Sequence, residues 1–141
     1  IRGSRETEEK FIGNAFMYDD EDKRRILKDP SIVTRPQSLC KKFYDRVRGY
    51  DQETKMQYLD INLWMVGDIL LKADRMSMAN SLELRVPFLD KEVFEVARHI
   101  PVKYRANAEG TKLAMRGAAA RSIPERTADK KKLGFPVPTR V

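Results

Sequence analysis

From Glu53 to Ala79 no proline interrupts the chain, and apolar residues recur at helical spacing throughout. Met56, Leu59, Leu63, Val66, Leu70 and Ala73 follow one another at intervals of three and four, and Ile61, Trp64 and Ile69 widen the stripe. The spacing predicts a central, largely buried helix, with Asp68 and Lys72 as an i,i+4 pair at the edge of its apolar face. The period then changes. Across Ser81–Val86, Leu82, Leu84 and Val86 alternate with Glu83 and Arg85, as an extended segment requires. Pro87 pushes Val86 away from helix. Asp90 follows as an N-cap, with Leu89 and Phe94 placed for a hydrophobic staple over a helix from Lys91 to Ile100.

Weaker helical signals flank this centre. Asp19 or Asp20 opens an acid-first, base-last segment that Pro30 ends. After Pro36, Leu39, Phe43 and Val47 stand at four-residue spacing on an amphipathic helix closed by Gly49. Thr111 is the expected N-cap of a helix with Lys112 in its first turn, and Ala114, Gly117 and Ala118 give that helix a small face. Pro124, at N1, starts a short helix ending in Lys130–Lys132, with Gly134 and Pro136 as its stop. Five or six helices, one short extended segment and no internal repeat make the chain all-α.

Several functions are set aside by what is missing. The glycines stand at 3, 13, 49, 67, 110, 117 and 134, never closer than seven residues, so no Gly-rich phosphate loop can be built. A single Cys40 and a single His99 give neither a disulfide nor a Cys/His metal site, and no metal ligands are expected. No apolar run reaches the roughly 18–20 residues of a membrane span. With 41% hydrophobic and 35% charged residues and no leader-like start, a soluble cytoplasmic protein is expected. The excess of 28 basic over 21 acidic residues is spread along the chain without aromatic interleaving. It reads as a solvated basic face rather than a nucleic-acid surface.

Two cations fit an anionic ligand. Lys112 beside a helix N-terminus opposes the helix dipole unless an anion joins it, although an ordinary surface lysine fits the same spacing. Arg85 could make a bidentate contact to a carboxylate or phosphate, or pair locally with Glu83. Asp74–Arg75 could be a functional pair or a structural one at a helix end. Residue by residue, the chain is a helical domain that favours anions at one or two points.

Three stretches taken together go further. "ADRMSMANSLELRVPFLD", then "GTKLAMR", then "KKKLGFPVP" resemble the carboxy-terminal part of the synthetase domain of glutamine-hydrolysing asparagine synthetases. The likeness extends back to "KFIGNAF" at Lys10–Phe16 and so covers nearly the whole chain. It implies the helical rear half of an α/β ATP-pyrophosphatase-type (adenine nucleotide α-hydrolase-like) synthetase domain, residues 1–141 being one piece of that domain. The family's Ser-Gly-Gly-x-Asp-Ser loop and its amino-terminal nucleophilic Cys are absent here. The resemblance therefore implies a fragment without the ATP loop and glutaminase domain, inactive alone. A free-standing helical protein-binding module is the alternative.

In that family magnesium-bound ATP adenylates aspartate, and ammonia released from glutamine displaces AMP. The resemblance implies Lys112 as the active-site lysine, neutralising phosphate charge. It puts Lys131 or Lys132 on a lysine-bearing loop near the site. Asp74, Glu83, Arg85, Pro87, Phe88 and Asp90 belong to the motif behind the site, where Arg85 orders the turn more than it touches ligand. Leu84 stands where many relatives have Ala. With its partner surface missing, the long helix is expected to drive self-association.

Overall fold

The computed structural model describes residues 7–13, 18–108 and 110–131. Its contacts divide it between Val86 and Pro87 into two compact units. Among the described residues there is no β-strand. The Ser81–Val86 alternation produces no strand, and the only ladder-like pairing among the described residues is an isolated antiparallel bridge between Ala106 and Thr111.

The first unit contains α1 (Thr7–Lys10), α2 (Asp20–Ile26), α3 (Pro36–Tyr44) and α4 (Gln52–Asp60), followed by a π-helical stretch Ile61–Leu70 and α5 (Leu71–Ala79). Local chemistry sets the starts. Asp19 accepts the Asp22 N–H at 2.8 Å and Asp22 returns the contact, a capping box built of two aspartates. Pro36 occupies the first turn of α3, where its missing N–H costs nothing. Asp51 caps α4 through the Thr54 N–H at 2.7 Å.

The core gathers where α1, α3 and α4 meet. Phe11, Cys40, Tyr44 and Leu59 are buried, with Ile12, Phe43, Met56 and Leu63 packed around them. The Tyr44 hydroxyl donates to the Phe11 carbonyl at 2.6 Å, and burial pushes both the Tyr44 and Cys40 pKa upward. Lys55 on α4 reaches Glu8 on α1 at 2.7 Å, and that hydrogen bond holds the Glu8 carboxyl below its usual range.

Two expectations from spacing are corrected here. On α3 the buried face is Cys40–Tyr44, continued by Val47, while Leu39 is 64% exposed. Of the expected stripe, Val47 is buried and Phe43 packs against the core, so only Leu39 falls outside it, while Cys40 and Tyr44 complete the buried face. The long helix runs without a break in helical dihedrals at Ile61 or Leu71. Yet only Leu59 on it is buried, and Val66 is 61% exposed. Beyond Leu63 the described residues of this unit bury none of the stripe: Leu70 and Ala73 are only half-buried. Asp68 and Lys72 do pair, at 2.9 Å.

α5 ends on a left-handed residue. The Leu82 N–H donates to Ser77 O at 2.9 Å and the Ser81 N–H to Met78 O at 3.0 Å, with Ser81 at φ 54°. This is the Schellman closure, in which glycine is usual at the position Ser81 holds. Ser81→Gly is therefore expected to stabilise the first unit by about 1 kcal/mol, since a Cβ is disfavoured in that region. A denaturant midpoint unchanged or lowered in Ser81→Gly would contradict this.

The second unit has a 3-10 turn at Pro87–Leu89, α6 (Lys91–Arg98), α7 (Val102–Arg105), α8 (Leu113–Ala119) and α9 (Glu125–Ala128). Asp90 caps α6 as expected, accepting from Glu92 N at 2.8 Å and Val93 N at 3.4 Å. Leu89 and Phe94, expected as a staple, remain 43% and 47% exposed. Pro124 is the N-cap of α9 rather than its first residue, and α9 closes at Ala128, ahead of the lysines. Gly134 and Pro136 lie outside the described residues.

Candidate functional site

Lys112 owes its position to the turn before it. The Asn107 N–H donates to Gly110 O at 2.9 Å, and Asn107 Oδ1 accepts the Gly110 N–H at 3.1 Å. Thr111 then pairs back with Ala106 in the antiparallel bridge. With Thr111 held in that bridge, the turn into helix falls to the next residue. Lys112 takes it with φ 60° and ψ 33°, in the left-handed region, and is itself the N-cap of α8 without a side-chain cap bond. This corrects the expectation that Thr111 caps the helix and Lys112 lies in its first turn. The lysine side chain is exposed.

A non-glycine residue held left-handed costs on the order of 1–2 kcal/mol. Such conformations cluster where a particular side chain is needed. Glycine would fit this backbone better, and Lys112 replaces it with a long cation.

Arg116, which spacing did not single out, joins this helix to the end of α9. Its guanidinium donates to Ala128 O at 2.8 Å and to Lys130 O at 3.2 Å. Its position four residues after Lys112 on the same helix was the available signal. Lys131 follows Lys130 directly and is exposed. Lys132 lies outside the described residues.

The other motif residues lie in both units. Arg85 Nε donates to Glu83 Oε1 at 3.0 Å with both side chains in solvent, the local pairing that spacing allowed. Asp74 and Arg75 are exposed on α5 and form no ion pair with each other. Pro87 and Phe88 form the 3-10 turn before Asp90, with Phe88 67% exposed. His99 sits at the end of α6 with Nδ1 2.7 Å from Glu95 O. Among the described residues no group of His, Cys, Asp or Glu could hold a metal ion. None of their helices is long and apolar enough to cross a membrane. In the first unit an open cleft of about 510 Å³ runs past Arg35, Gln37, Lys41, Tyr44 and Arg48. Lys41 and Arg48 both already bind Asp45, and no motif residue lines it.

The asparagine synthase family pattern matches residues 3–141. The chain belongs to the asparagine synthase family. It is 47% identical over 141 residues to asparagine synthetase [glutamine-hydrolyzing] 1 of Bacillus subtilis (strain 168), covering 99% of this chain and 22% of that protein. It is 41% identical over 139 residues to a putative asparagine synthetase [glutamine-hydrolyzing] of Mycobacterium tuberculosis (strain ATCC 25618 / H37Rv), covering 99% of this chain and 21% of the relative. Asparagine synthetase [glutamine-hydrolyzing] 3 of Bacillus subtilis is 29% identical over 133 residues, covering 94% and 21%. The chain thus spans about a fifth of the length of these asparagine synthase relatives. No solved structure matches it.

Proposed function

We propose that this chain is the helical rear half of the ATP-pyrophosphatase-type synthetase domain of a cytoplasmic, glutamine-hydrolysing asparagine synthetase, an ATP-dependent C–N ligase. The observation that carries this reading is Lys112, kept left-handed at the start of α8 in a chain of this family. The aspartate side-chain carboxylate attacks the α-phosphate of ATP, giving β-aspartyl-AMP and pyrophosphate. Ammonia then attacks the acyl carbon, and AMP leaves as asparagine forms. Lys112 contributes electrostatically: its ammonium offsets phosphate charge during adenylation and the oxyanion during amide formation. Lys131 or Lys132 adds a second cation on the phosphate side. Arg85, paired with Glu83, orders the turn into Pro87–Asp90.

ATP suits these lysines, and when bound with Mg it supplies the adenylyl group. The magnesium ligands, the ATP loop and the glutaminase domain that delivers ammonia belong to other parts of the polypeptide in this reading. This chain alone is therefore inactive. Incubating the complete polypeptide with ATP, Mg, aspartate and ammonium should yield AMP and pyrophosphate in step with asparagine. Hydroxylamine should trap aspartyl hydroxamate. ADP and inorganic phosphate as products would refute adenylation. No aspartate-dependent turnover would favour a helical protein-binding role instead.

The uncovered apolar residues support a further part of the reading. Val66, Met76, Met78 and Leu82 each stand more than half exposed along and just after the long helix. The isolated chain is expected to self-associate through them. Light scattering on a sizing column should give a mass above 16.4 kDa, whereas a monodisperse monomer would contradict the expectation.

A further inference from the structure

The helix that Lys112 begins and the segment that runs into Lys131 meet at one side chain. Arg116 lies one helical turn beyond Lys112, and its backbone N–H donates to the Lys112 carbonyl at 2.9 Å. Its guanidinium leaves α8 and spans to a segment 12 and 14 residues further on, at Ala128 O and Lys130 O. Ala128 is the last residue of α9 and is buried. Carbonyls at and just past a helix end lack intrahelical donors, and the planar guanidinium presents two N–H donors to two of them in a fixed geometry that a freely rotating ammonium lacks. Among the described residues Arg116 forms no ion pair. Its contacts there are made to backbone, and they fix the chain at the residue before Lys131.

We infer that Arg116 is a positioning residue for adenylation, holding the segment that leads into the lysine cluster against the helix that Lys112 begins. The inference rests on the reading of Lys112 and the lysine cluster as phosphate-side cations. Arg116 itself need not touch substrate. Its effect passes through the placement of the cluster, and a displacement of about 1 Å in such a group can cost about a hundredfold in rate.

The test is steady-state ammonia-dependent asparagine synthesis by the complete polypeptide, with ATP varied. Arg116→Ala should raise the KM for ATP and lower kcat/KM for ATP by about a hundredfold. Arg116→Lys keeps stem and charge but loses the fork. It should lose about tenfold, and it supplies the reading should the alanine variant fail to fold. In a Lys131→Ala/Lys132→Ala background, adding Arg116→Ala should change kcat/KM little further, because both changes remove the same contribution. A full additional loss in that background would overturn the inference, since Arg116 would then act on the fold alone. Wild-type kinetics in Arg116→Ala and Arg116→Lys would overturn it too. If Lys112→Ala and the double lysine variant both work at wild-type rates, the site reading fails. If they are impaired and the Arg116 variants are not, only the role of Arg116 falls.

Discussion

Replacing Lys112 with alanine in the complete polypeptide is expected to lower asparagine synthesis by about a thousandfold while glutamine hydrolysis continues. Removing one preorganised charge-stabilising donor typically costs about 10²–10³ in rate, and Lys112 is asked to act in both chemical steps. Its left-handed backbone allows a sharper comparison. Lys112→Gly should lose synthesis equally while melting no lower than wild type, because φ 60° suits glycine better than lysine. A side chain held against local backbone preference, whose removal leaves stability intact and ends activity, is retained for chemistry. Wild-type-like synthesis in both variants would remove Lys112 from the mechanism.

Leu59→Ala should have the largest effect on folding. Leu59 is 0% exposed, at the centre of the cluster with Phe11, Cys40 and Tyr44. Truncating such a leucine costs about 3–5 kcal/mol, through lost transfer free energy and the cavity left behind. That is a large share of the roughly 5–15 kcal/mol that stabilises a domain. Urea titration followed by far-UV circular dichroism should show a clear fall in midpoint. Val66→Ala is the control: it stands two helical turns along the same apolar stripe but is 61% exposed. It should change stability by no more than about 0.5 kcal/mol. Equal losses from the two variants would mean that Val66 is covered in solution.

That pair shows how far pattern reading reaches. Three-and-four spacing places Leu59 and Val66 on one face, because helical geometry alone decides which side chains share a side. Burial of that face needs a second surface, and among the described residues α1, α3 and the turn after α3 provide it, near Leu59. The same limit applies on α3, where spacing groups Leu39 with Phe43, but Phe43 packs beside Cys40 and Tyr44 on the core and Leu39 stays in solvent. At the candidate site, Lys112 was visible in the sequence as a cation near a helix start. Its left-handed backbone was not, because that follows from Thr111 pairing with Ala106.

The sequence by itself determined the longer helices but not the short α1 and α7, together with the Asp90 cap, the absence of a Gly-rich phosphate loop and the Lys112 candidate. Each of these depends on residues within a few positions of one another. Tertiary structure alone decided how much of each apolar stripe is core, that Lys112 rather than Thr111 caps α8, and that Arg116 spans to the end of α9. Those outcomes depend on which distant backbone atoms come within hydrogen-bonding or van der Waals reach, and no local period encodes that.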